Sequence, residues 1–167
     1  LQAAQAWSRA QPTSKDATRY LIQILVGLSK LPETVEPIRR ELATLPVKDR
    51  SAAISAVPRY FARVADKKLA AKVVEQALAA DTNSPVAGPA AYSAIGAMRL
   101  LAGDAEGALD AARKGAALHL GAEEPAQLAL ALMSPQLPLA EALVIAHLQS
   151  GARVELRMAY AYKLLAA

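Results

Sequence analysis

Apolar side chains in this chain recur every three or four residues, and strict alternation of apolar and polar positions never persists beyond a few residues. That period gathers apolar groups on one side of a helix and gives a strand no consistent buried face, so the expected fold class is all-α. Alanine supplies 40 of the 167 residues, against 8 glycines and 1 phenylalanine. Alanine has the best intrinsic helix propensity, and its thin side chain lets helices approach closely. Prolines, glycines and turn clusters divide the chain into ten expected helices, over residues 1–10, 14–31, 33–45, 49–64, 66–80, 89–102, 104–118, 125–133, 139–149 and 154–167. The connections are short, so successive helices are expected to be antiparallel neighbours.

Two of these helices carry specific expectations. The second is apolar nearly all round, through Tyr20, Leu21, Ile22, Ile24, Leu25, Val26 and Leu28, which predicts cover on several sides. The fourth places Ile54, Val57, Phe61 and Val64 on one stripe and contains Pro58, which predicts a kink. The helix pairs also repeat. Pro12 and Pro46 stand 34 residues apart, as do Ala108 and Ala142, while Thr34 to Ala70 and Ala70 to Ala108 are steps of 36 and 38. Such a period is the signature of stacked helix pairs. Within one pair, small residues at Gly96 and Ala108 predict a close helix crossing, with Tyr92 and Ile95 filling the space beside it.

The run Ala91-Tyr92-Ser93-Ala94-Ile95-Gly96, followed by Leu101-Ala102-Gly103-Asp104-Ala105-Glu106-Gly107-Ala108-Leu109, resembles the tetratricopeptide repeat family. The segment from Asp66 through Lys67, Lys68, Leu69 and Ala70 to Asp81 is similar to the second helix of such a unit, and Pro12 and Pro46 stand where its closing proline stands. Thr82 and Leu120 replace that proline elsewhere. The resemblance implies a right-handed superhelix in one helical-repeat domain over residues 1–167, acting as a protein-binding scaffold through its concave groove. With the alanine-rich, cysteine-free composition it also points to a bacterial protein, and favours the cell envelope or periplasm over the cytoplasm.

Catalytic and metal chemistry find little to work with. There is no cysteine, His147 has no ligand-type neighbour three or four residues away, and His119 has only Glu123 at four, too few ligands for a metal site. Glu123 and Glu124 precede Pro125 at a helix start, where carboxylates favour the helix dipole. No glycine loop of phosphate-binding type is present, so neither an enzyme nor a cofactor is expected. The longest uncharged runs, 82–98 and 125–140, are broken by prolines and turn residues, which excludes a membrane-spanning helix. The chain opens on helical residues without a methionine, and its last helix has no stop signal, so a longer parent chain is expected. Terminal helices exposed in this way predict a possible route to a homodimer.

Charge is uneven. Residues 1–80 hold 13 basic and 7 acidic side chains, and residues 81–167 hold 6 and 8. Arg59 and Arg63, four apart on the fourth helix, are expected to share a face. The repeat register implies that they lie with Arg19 on the concave surface, where they would attract an acidic peptide. Tyr92, Ser93 and Arg99 are further candidate contacts. The small positions Ala90, Ser93 and Ala97 suggest a groove for a helix or an extended segment. Trp7, Tyr20, Tyr60 and Tyr92 fall at core-like spacings and are expected to pack inside. A basic repeat binding nucleic acid, or a purely structural repeat in an envelope-associated assembly, is the alternative function. Modest net charge and few aromatics for base stacking disfavour nucleic acid. A carboxylate clamp of the co-chaperone kind needs asparagines, and the lone Asn83 lies in a turn.

Overall fold

The computed structural model describes residues 1–119 and 121–166, and among these every regular element is helical. Leu120 and Ala167 lie outside the described residues, Leu120 being one of the two residues expected in place of a closing proline. The helices are α1 (Gln2–Ala10), α2 (Lys15–Gly27), α3 (Val35–Ala43), α4 (Val47–Ala56), α5 (Lys67–Leu78), α6 (Gly88–Leu101), α7 (Ala105–Leu118), α8 (Glu123–Leu132), α9 (Pro138–Gln149) and α10 (Val154–Leu165). Short 3₁₀ turns at Leu31–Thr34 and Val57–Phe61 precede α3 and follow α4. No helix among the described residues is long and apolar enough to cross a membrane.

The two helices with specific expectations depart from them. α2 stops at Gly27 rather than Leu31, because Ser29 turns into the left-handed region at φ 58°. The Lys30 and Ser29 amides then reach back to the Leu25 and Val26 carbonyls at 2.8 and 3.0 Å, which closes the helix end. Its cover comes from α1 on one side and from α3 and the 3₁₀ turns on another, but it is not all round: Ala17, Thr18, Leu21, Ile22 and Leu25 are inside, while Tyr20 and Leu28 are exposed. A serine Cβ is strained where glycine is not, so Ser29→Gly should stabilise the chain by about 1 kcal/mol, read as a rise in denaturation midpoint. The fourth helix does not kink at Pro58 but ends at Ala56. Proline lacks the amide and crowds the carbonyl four residues back, and the chain continues as the tighter 3₁₀ turn. That turn still buries Val57 and Phe61 on the side of Ile54.

Between α6 and α7 one short turn serves both helices. Gly103, at φ 84°, closes α6 through amide bonds from Gly103 to Leu100 and from Asp104 to Arg99, at 3.0 and 2.9 Å. Asp104 then opens α7 by accepting from the Gly107 amide at 2.8 Å. The two helices run antiparallel at very close range, as Gly96 and Ala108 predict. A Cβ added at Gly96 would lie 3.1 Å from the Ala108 carbonyl oxygen and 3.2 Å from Ala111 Cβ, and it would collide with the Leu128 side chain. At the other end of the crossing, Gly115 abuts Tyr92 and Pro89.

Packing follows chain order. Each helix makes its substantial contacts with helices one or two places along: α6 meets α5 and α7 on one count, α4 and α8 on the other. Likewise α3 meets α5, α7 meets α9, and α8 meets α10, while α4 is joined to α5 through the Val57–Phe61 turn. Thr34, Ala70, Ala108 and Ala142, the residues that mark the repeat in sequence, fall at or near the starts of α3, α5, α7 and α9. The main core runs from Ile22 to Met98 around Phe61, Ile38, Ile54 and Leu78. A second cluster, from Ala108 to Ala140, lies between α7, α8 and α9, and a small one joins Ala4 to Leu21 and Leu25.

Candidate protein-binding groove

The six candidate contact residues do not form one surface. Arg19 on α2 is exposed and pairs through Nε with Glu41 Oε1 of α3 at 3.3 Å, while the Tyr60 hydroxyl donates to Glu41 Oε2 at 3.4 Å. The Glu41 carboxylate raises the Arg19 pKa. Burial, and then Glu41, hold the Tyr60 hydroxyl above its ordinary value of 10. Arg19 is thus already engaged within the chain. Arg59 lies in the 3₁₀ turn and Arg63 beyond it, so the shared α-helical face expected of them does not exist. Four residues advance about 40° around an α-helix but about 120° around a 3₁₀ helix.

Tyr92 and Arg99 come together in a cleft of about 220 Å³ between α5, α6 and α7. Its charges satisfy each other: Arg99 pairs with Glu75 at 2.8 Å and donates to the Gly107 carbonyl at 3.2 Å, and Lys114 pairs with Asp110 at 2.7 Å. Arg99 therefore ties three helices together. Trp7 and Tyr20 are not interior either. They are 40% and 51% exposed and meet as a tilted pair with ring centroids 6.1 Å apart. Tyr60 and Tyr92 are half-buried, Ala90 is buried, and His119 is exposed while His147 is buried. α10 buries only Leu156, leaving Val154, Met158, Tyr162 and Leu165 exposed along one side.

Ser93 belongs to a different feature. A groove of about 460 Å³ crosses α4, α6 and α8, with Ser55 and Pro58 on one bank, Ser93, Ala94, Ala97, Leu100 and Leu101 along its floor, and Glu124, Gln127, Leu128 and Ala131 on the other bank. Every second helix contributes, which is possible because α4, α6 and α8 touch in series. Spacing explains the composition: 93, 97 and 100 share one face of α6, and 124, 127, 128 and 131 share one face of α8. Ser93 and Ala97 were visible as small positions in the sequence. The α8 bank was not, because Glu124 reads equally well as the first-turn carboxylate that it is. Glu124 and Gln127 also border a second, polar hollow of about 480 Å³ that contains His147, Ser150 and the Arg153–Glu123 pair, 3.3 Å apart. The groove therefore continues from an apolar half into a polar one. No basic side chain lines the apolar half.

The N-terminal part of α4 is held by polar contacts away from the groove. Arg50 pairs with Asp81 at 3.6 Å, and the Ser51 hydroxyl donates to the Val86 carbonyl at 3.0 Å. Burial pushes the Asp81 carboxyl above its ordinary value of 3.8, against the opposing pull of Arg50. The folded chain thus holds this proton at a pH where the unfolded chain has lost it. The stabilisation is complete below 3.8 and is lost as pH rises through the folded value. Thermal melts across that window should show a downward slope in stability from this group, absent from Asp81→Asn.

In class, the chain is an all-α protein of helices stacked in chain order with a groove across alternate helices. No family model matches it, and comparison with curated proteins and with solved structures gives no match.

Proposed function

We propose that this chain is a protein-interaction scaffold whose helices stack as a right-handed, tetratricopeptide-like superhelix, and that it binds a segment of a partner protein in the groove across α4, α6 and α8. The observation that carries this reading is the groove itself: an apolar trough built from alternate helices, open to solvent, with small side chains along its floor. The order of packing supports the superhelix, because contacts between alternate helices stack helix pairs in register. In that arrangement α4, α6 and α8 are the inner helices and the groove is concave. Ser93 and Ala97 are its central contacts, Tyr92 and Arg99 brace α6 from behind, and Arg19, Arg59 and Arg63 lie off the groove.

The test is capture from the source cell's lysate with three equally helical proteins: the native chain, Ala97→Arg, and the Arg59→Glu, Arg63→Glu double variant. A discrete protein retained by the native chain and the double variant, but lost by Ala97→Arg, is the expected result. Loss with the double variant alone would move binding to the basic surface, and a salt-sensitive polynucleotide in place of a protein would favour the nucleic-acid alternative.

A further inference from the structure

We infer that the groove takes an amphipathic helix bearing large apolar side chains, with a lysine or arginine at one end set over Glu124. This rests on the groove reading above and adds the chemistry of the occupant. Three features of the lining lead to it.

The first is shape. Ser55, Ser93, Ala94, Ala97 and Ala131 are small, so the lining leaves a trough of about 460 Å³ that leucine, methionine or phenylalanine side chains of a partner can fill. The second is the state of the polar groups. The Ser55 hydroxyl donates to the Ser51 carbonyl at 3.0 Å, the Ser93 hydroxyl to the Pro89 carbonyl at 2.7 Å, and the Gln127 amide to Glu123 at 2.8 Å. Few donors are left for the backbone of an extended peptide, whereas a helix satisfies its own backbone.

The third feature is charge. Glu124 is the one charged residue of the apolar lining, it is half-buried, and among the described residues it has no ion pair or hydrogen bond. Its neighbour Glu123 is already matched by Arg153. A carboxylate held at the junction of an apolar trough and a polar hollow attracts a cation more strongly than one in open water. The occupant's basic end belongs there, which is opposite to the acidic partner that the arginines of the first half would suggest.

The experiment is selection of a displayed random-peptide library of about 16 residues, roughly four helical turns, on the immobilised whole chain. Selected peptides are then titrated against the native chain, Ala97→Arg, Ser93→Arg and Glu124→Gln, with circular dichroism confirming that each variant is folded. The inference expects enriched peptides with large apolar residues at three- and four-residue spacing and a basic residue at one end. Affinity should fall at least about tenfold with either arginine variant and about tenfold with Glu124→Gln, while peptides with the basic residue changed to alanine no longer distinguish Glu124 from glutamine. Peptides that lose binding to the arginine variants but show no basic preference, or ignore Glu124→Gln, overturn the charge assignment and leave the groove intact. Binding indifferent to both arginine variants, or no enrichment, overturns the groove and the inference together. Concentration-dependent self-association abolished by Ala97→Arg would make a second copy the occupant and also overturn it.

Discussion

Replacing Phe61 by alanine should cost about 3–5 kcal/mol, measured as a fall in denaturant midpoint at unchanged slope. The phenylalanine is the chain's only one, fully buried, and the largest of the wholly enclosed side chains. It sits at the end of the 3₁₀ turn, a segment that reaches α2, α5 and α6 at once. Removing the ring therefore opens a void where three helices converge, and no single helix can shift to close it without losing contacts elsewhere. A domain of this size has only about 5–15 kcal/mol in reserve, so the variant should be markedly less stable at ambient temperature. A loss below about 1 kcal/mol would mean that the three helices collapse around the site, and that the core is far softer than its burial indicates.

The second large effect is expected at Gly96. Leucine there should destabilise the chain by about 3 kcal/mol or more, since even a Cβ meets the Ala108 carbonyl at 3.1 Å and Ala111 at 3.2 Å. Backbone lies on the far side, so relief requires α6 and α7 to move apart, which would also disturb Leu128 in the groove wall. Gly27→Ala is the matching control. Nothing lies within 4 Å of a Cβ at that position, so the better helix former should be neutral or stabilising by up to about 1 kcal/mol. If denaturation curves of the two variants moved alike, the close crossing would not be the reason for glycine at 96.

The helical fold was legible because helix periodicity and stop signals are local. Pro12, Pro46, Gly103 and the turn beginning at Asp81 all mark true boundaries, and Asp66 and Asp104 cap the helices that follow them. Where the stop signal had the wrong chemistry the boundary slipped: a serine at position 29 ends α2 although nothing in its composition says so. The Gly96–Ala108 crossing was also visible, since small residues at matched positions have few other uses. The site was less so. Arg19 is paired with a glutamate 22 residues away, and Arg59 and Arg63 do not share an α-helix, because the chain turns 3₁₀ at Pro58 and Arg63 falls beyond that turn. The aromatic spacing of Trp7 and Tyr20 fits a core, but both rings lie at an edge where α1 and α2 meet each other and solvent. A groove made from three separated helices depends on how they are arranged in space, and a linear pattern carries that only indirectly.

Contacts that fall mostly between helices one or two places apart also bear on how the chain reaches this state. Most partners are near in sequence, so most steps of the search close a short loop, and the entropy lost per step stays small. The hairpin of α6 and α7, with its turn sealed at both ends and its crossing already tight, is a natural nucleus. Structure can then spread outward in both directions, one helix at a time.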